Sequence, residues 1–198
     1  MLFLVSLPQY LVYINISLPR MRPFLLLFLM VLPPSGATNS LVKLHMMCNP
    51  KFHRFSEVAE LFAVCWFDIK CKIEARLLSP KTTYVAYLVF IKSVRSLWFN
   101  SLPINAPTRF VGEGGGKDED GITNIVYLKP PESGPVMSPI RGQLPQIRMD
   151  NWTEVPVGEF FNDQDSGEVE MRLMEVERVN RKQGIFIQGI ELRPKCVS

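Results

Sequence analysis

Glu168 and Glu175 bound the run EVEMRLME, a pair of carboxylates on one candidate strand. Two carboxylates flanking a glycosidic bond are the working parts of a glycosidase. The remaining parts of a hydrolase are missing from the sequence. His45 and His53 are the only histidines, neither falls in a strand-end constellation, and no G-x-S-x-G turn occurs. The expectation is therefore binding without turnover: no enzyme, no catalytic residue and no cofactor. The four cysteines and two histidines lack the close spacing of a zinc site, so no metal is expected either.

The surrounding pattern fixes how these acids would be carried. Alternation places Val169, Met171 and Leu173 inward, with Glu168, Glu170 and Arg172 outward. Glu175 falls in phase with the inward set. A carboxylate there sits at the rim, is hydrogen-bonded or binds something, because an unpaired buried charge is costly. Strict alternation also puts Glu168 and Glu175 on opposite faces. A bulge, an end-of-strand position or a neighbouring subunit would be needed to bring them together.

The rest of the chain reads as strands. From Cys65 to Ile73 apolar and polar side chains alternate, as in a half-buried strand, and Thr82–Ile91 is β-branched, aromatic and apolar at nearly every position, as in a strand covered on both faces. Ser56–Leu61 is either a helical turn or a strand. Ile122–Leu128 closes a hairpin, and Asn151–Phe161 returns to strand character with Pro156 marking an edge or bend. The charged stretch Glu175–Arg181 reads as a hairpin end. Ile185–Leu192 is the last strand, with a bulge at Gly189 and a stop at Arg193-Pro194-Lys195. Gly112–Gly121 is a glycine-rich acidic loop. It lacks the Lys-Ser/Thr of a phosphate cradle, and its acids would repel phosphate. Lys129–Asp150 is a proline-rich connection. The expected fold is mainly β, an antiparallel β-sandwich of jelly-roll type.

Several blocks carry a family resemblance. FSEVAELFAVCWFDI, LSPKTTYVAYLVF, NWTEVPVGEFF with GEVEMRLMEV, and GIFIQGIELRPK resemble, in that order, the plant phloem protein 2 or Nictaba-type lectin domain over residues 54–195. The resemblance implies a carbohydrate-binding β-sandwich, in many members fused behind an F-box. It implies recognition of GlcNAc-containing glycans such as chitin oligomers and N-glycan cores. In the family the glutamates matching Glu168 and Glu175 are associated with the sugar site. For a lectin, Glu168, Glu175 and Glu154 would hydrogen-bond sugar hydroxyls, and Trp152 or Trp98 would offer a stacking face. Trp66 is a further ring, though beside Phe67 it reads as packing. Where the family shows a tryptophan-rich opening strand of the form WxxNPxYWxW, this chain has Met46, Met47 and Phe52 around Asn49-Pro50. That departure predicts weakened sugar binding and a lost edge strand. The alternatives are the substrate-recognition part of an F-box-type ubiquitin ligase that has lost its F-box, or a truncated copy that binds nothing.

Composition bounds the partners. The chain has 198 residues, 47% hydrophobic and 21% charged, with a formal charge of +3, too small and too scattered to propose nucleic acid. Glycans or glycoproteins are the expected partners, with a homodimer compatible. A Skp-type adaptor is not expected, since nothing before residue 54 resembles an F-box. Two domains are expected. Residues 1–37 form an apolar segment, either a signal peptide read from Met21 or unrelated sequence introduced by the gene model, outside the folded domain of residues 38–198. The family points to cytoplasm and nucleus, and a true signal would instead mean secretion, where Asn151-Trp152-Thr153 would be a glycosylation sequon. Cys65 and Cys71 lie too far apart on one strand for a disulfide, whereas Cys48 and Cys196 would bridge only if the chain ends meet.

Overall fold

The computed structural model describes residues 10–17, 27–31, 41–46, 57–63, 67–97, 103–111, 121–130, 141–163, 167–178 and 180–195. Trp66, Trp98, Cys48, Cys65, Cys196, Met47, Phe52, most of the glycine-rich loop and residues 131–140 lie outside them. The described elements are β1 (Tyr10–Ser17), β2 (Leu27–Val31), β3 (Leu41–Met46), β4 (Glu57–Ala63), β5 (Phe67–Glu74), a 3-10 turn (Ala75–Leu77), β6 (Thr82–Leu97), β7 (Pro103–Val111), β8 (Ile122–Tyr127), β9 (Gln146–Ile147), β10 (Thr153–Asn162), β11 (Glu168–Glu175) and β12 (Gln183–Pro194).

Alternation in β5 and β11 builds one wall of the core. Phe67, Ile69, Cys71 and Ile73 are buried on one face of β5, and Val169, Met171 and Leu173 on the same face of β11. The two strands pair in unbroken antiparallel register from Glu168↔Glu74 to Glu175↔Phe67. β7 and β8 continue this first sheet beyond β11. The opposite wall comes from β6, β10 and β12, whose Ala86, Leu88, Phe90, Val155, Val157, Ile190 and Leu192 point inward. Each Val, Leu, Ile or Phe among them contributes roughly 1.5–3 kcal/mol on burial, an upper bound because the unfolded chain already hides some of this surface. The molecule is an antiparallel β-sandwich, as its alternation predicts. β5 and β6 do not pair with each other; they belong to different sheets.

Between these strands, the Asn162 amide of β10 donates to the carbonyls of Ala75 and Ser79, at 3.2 and 3.0 Å, and pins the turn where the chain changes sheets. Lys81 takes the left-handed conformation there, at φ 53°. Two register shifts fall where glycine and proline predict a bulge or bend, between Pro156 and Gly158 in β10 and between Ile187 and Gly189 in β12; others lie between Gln183 and Ile185 in β12 and between Leu41 and Val42 in β3.

One open alternative is decided and three expectations need correction. Of the helical turn and the strand left open for Ser56–Leu61, the strand is found over residues 57–61, within β4, because Ala59 and Leu61 reach the core when the segment pairs with Ile185–Ile187 of β12. A strand, β3, stands in the place of the opening strand expected to be lost, paired to β4 from Met46↔Glu57 to Leu41↔Ala63. The charged Glu175–Arg181 stretch is not the end of a hairpin, since β11 and β12 do not pair with each other. Residues 176–182 carry the chain from β11 in the first sheet to β12 in the second. Arg193 and Pro194 continue the ladder, opposite Val85 and Tyr84, rather than stopping it.

Residues 1–37 were expected to stand apart, and two parts of them join the sheets. β2 pairs with β5, while Asn15–Ser17 of β1 runs parallel to Gly189–Glu191 of β12. The backbone groups on the outer edges of β5 and β12 need partners, and apolar extended segments satisfy them. Among the described residues no helix is long and apolar enough to cross a membrane.

Candidate functional site

The acids and rings singled out by sequence are dispersed over the sandwich. With β11 free of bulges, Glu168 and Glu175 lie at opposite ends and on opposite faces of the strand, roughly 23 Å apart at about 3.3 Å per residue. Glu168 sits on the outer face of the first sheet, 2.8 Å from Lys72 Nζ. Glu175 is buried at the end of the sandwich, 2.6 Å from Lys182 Nζ, and accepts the Arg178 backbone N–H at 3.0 Å. Trp152 is 1% exposed and packs with Val58 and Val89, so its ring offers no open stacking face. Glu154 stands in an open cleft on the second sheet.

That cleft is built by a short hairpin folded over the outer face of the second sheet. β9 pairs with the start of β10, Ile147↔Thr153 and Gln146↔Glu154. The turn between them is closed by the Asn151 N–H donating to the Arg148 carbonyl at 3.1 Å and the Arg148 N–H donating to the Trp152 carbonyl at 2.7 Å. Asn151 adopts φ 65°, a conformation asparagine tolerates better than most residues. Asp150 Oδ1 accepts the Trp152 N–H at 3.1 Å. Trp152 is the anchor: its burial against Val89 of β6 and Val58 of β4 holds the hairpin down.

So anchored, the hairpin hangs Arg148 and Asp150 beside outward residues of β10 and β12. Arg193 makes a two-pronged contact with Glu154, 3.0 Å to Oε1 and 2.5 Å to Oε2, and reaches Glu191 Oε2 at 2.9 Å. Arg148 donates to the same Glu191 oxygen at 2.8 Å and lies 3.0 Å from Asp150 Oδ2. The Arg193 guanidinium stacks on the Tyr87 ring at 4.3 Å. Hydrogen bonding to Glu154, set against the cost of burial, and then to Glu191 raises Arg193 above its ordinary pKa. The cleft measures about 390 Å³, is lined by these four charged residues with Asp150 and Met149, and has Met149 fully exposed at its lip. Donors and acceptors alternate across its floor, and their positions are fixed by one another and by two strands. Such a floor suits a ligand whose groups both donate and accept.

Elsewhere, a second cleft of about 210 Å³ opens at the end of the sandwich beside Asn105, Met174, Glu175, Glu177 and Arg178. Glu175 is already committed there. Lys182 is 1% exposed and gives its directed hydrogen bonds to the Arg178 and Asn180 carbonyls, at 2.8 and 3.4 Å, so the pair clamps the inter-sheet connection. On the outer face of the first sheet, buried Glu170 lies 2.7 Å from Lys70 and 2.9 Å from Arg109. This face is flat. Among the described residues no group of three His, Cys, Asp or Glu side chains stands close enough to hold a metal ion.

Comparison with known proteins places the fold. Residues 41–194 match the phloem protein 2 family. The chain belongs to that family. Members similar to it include F-box protein PP2-B10 of Arabidopsis thaliana, 38% identical over 146 residues, covering 71% of this chain and 50% of that protein. F-box protein At2g02240 of the same plant is 37% identical over 142 residues, covering 71% and 42%. Putative F-box protein PP2-B12, also of A. thaliana, is 40% identical over 143 residues, covering 72% and 50%. The chain thus spans about half the length of these relatives. As a phloem protein 2 domain it carries β3 to β12 inside the family match, with β1 and β2 before it.

The sequence named Glu154 but missed Arg148, Glu191, Arg193 and Tyr87. A signal existed for two of them: Glu191 and Arg193 alternate with inward Ile190 and Leu192, so they had to share an outward face. Nothing local told which residues of β6, β9 and β10 would lie beside them.

Proposed function

We propose that this phloem protein 2 domain is a lectin-like module that binds GlcNAc-containing glycans, without turnover, in the cleft formed by Arg148, Glu154, Glu191 and Arg193. Family membership supports the lectin reading. The observation that carries the choice of site is the alternating guanidinium–carboxylate floor beneath an exposed thioether. A sugar hydroxyl donates to a carboxylate while accepting from a guanidinium, and Met149 offers apolar contact to the ring. Glycan arrays and calorimetry with chitin oligomers and N-glycan cores test this on the full chain. Binding is expected, and Glu154→Gln or the surface change Met149→Ser should weaken it, by about tenfold and severalfold respectively. Absence of binding to both glycan classes overturns the reading.

A second reading is favoured by the F-box names of the relatives: the domain recognises substrates for a ubiquitin ligase. It predicts co-purification of a Skp-type adaptor with this chain, and the absence of the adaptor would count against it.

A further inference from the structure

We infer that Met149 is a site of reversible oxidation that regulates the cleft: a peroxide converts its thioether to a sulfoxide, and glycan affinity falls until the sulfoxide is reduced. The inference rests on the reading of the cleft as a glycan site and adds a control to it.

Met149 is a central residue of the turn between β9 and β10, and its side chain is fully exposed at the lip of the cleft. Met171, by contrast, is wholly buried in the core, and Met174 is half-buried. The side chains flanking Met149 are engaged. Arg148 reaches Glu191 and Asp150, Asp150 accepts the Trp152 N–H, and the Trp152 ring is buried against the second sheet. The backbone is closed by the Arg148 and Asn151 N–H groups. The turn is thus held by every one of these contacts and by none from the Met149 side chain, so a change at its sulfur alters the lip of the cleft and leaves the fold alone.

In the oxidation a lone pair of the sulfur attacks one oxygen of the peroxide, and the S–O bond forms as the O–O bond breaks. With hydrogen peroxide, the departing hydroxide takes the proton of the transferred oxygen and leaves as water. Sulfur gives up two electrons and the peroxide takes them. Two thiols return them through a methionine sulfoxide reductase, releasing the oxygen as water and becoming a disulfide. The thioether is flexible and apolar, whereas the sulfoxide is polar and chiral. A pyranose face that packs on it must strip water from the new oxygen without replacing that hydrogen bond, which is unfavourable. The guanidinium and carboxylate floor is unaltered, so binding weakens rather than vanishes.

The test is calorimetry of the full chain with a chitin tetramer before and after dilute hydrogen peroxide, with fragment mass spectra locating the added oxygen. In native buffer Met149 should take up oxygen while Met171 does not. Affinity should fall severalfold, and methionine sulfoxide reductases with a dithiol should restore it. Thermal melts of the oxidised chain should match those of the untreated one. Met149→Leu serves as its own reference: whatever its affinity, peroxide should not change it. An unoxidised Met149, an oxidised one with unchanged affinity, a lowered melting temperature, or a loss that recurs in Met149→Leu overturns the inference and leaves the glycan reading standing. An untreated chain that binds neither chitin oligomers nor N-glycan cores overturns both.

Discussion

Lys182 Nζ lies 2.6 Å from Glu175 Oε2, and both side chains are almost wholly buried where the chain passes from one sheet to the other. An acid expected to meet ligand is instead the counter-ion of a structural lysine. Breaking one partner strands the other charge in the interior. Lys182→Met should therefore cost about 3–5 kcal/mol in denaturant unfolding. Pairing it with Glu175→Leu should recover much of that loss. A single variant as stable as the parent would remove the clamp.

Trp152 holds down the hairpin that carries Arg148 and Asp150. Trp152→Ala should cost about 3–5 kcal/mol, as for other buried aromatic truncations. Trp152→Phe, which keeps a buried ring, should cost less and weaken glycan binding less. Denaturant titration and calorimetry on both variants check the order.

Gly158 follows the β10 bulge, where a Cβ would stand 2.0 Å from Thr108 Oγ1 on the facing sheet. Gly158→Ala should destabilise by about 1–3 kcal/mol through overpacking. Adding Thr108→Ala removes the clashing oxygen, which is itself buried without a hydrogen bond, and should return part of the loss. Additive effects of the two changes would contradict the contact.

Burial opposes ionisation of Glu170, but hydrogen bonds from Lys70 and Arg109 outweigh it and hold the carboxyl below its ordinary range. A depressed folded pKa contributes stability that is present above the unfolded value, about 4.3, and is lost as pH falls from there through the folded value. Glu170→Gln should flatten the pH dependence of stability below about pH 4.3 and lower stability at neutral pH. Urea midpoints measured across acid pH test this.

Cys71 is fully buried, and desolvation pushes its thiol well above the usual cysteine range. A thiol reagent should label the peptide containing Cys71 only when the protein unfolds. Peptide mass mapping in native and denaturing buffer measures it.

The resemblance blocks and the two-residue period of β5, β10, β11 and β12 were enough to give the sandwich and its inward faces, because alternation is a local property of an extended chain, and Gly189 gave the bulge in β12. They also gave the opposite facing of Glu168 and Glu175. Helix-start residues at Ser56 and Glu57 left β4 ambiguous, since the pairing that decides it lies in β12.

By itself the sequence determined which residues face the core, where glycine and proline bend the strands, and the phloem protein 2 family. Tertiary structure alone decided what the polar residues do. It made Glu175 a clamp, closed Trp152 beneath a hairpin, and set Arg148 of that hairpin against Glu191 and Arg193 of the last strand. The reason is physical: burial pattern repeats every two residues along one strand, whereas an ion pair between strands depends on sheet order and register, which no local stretch encodes.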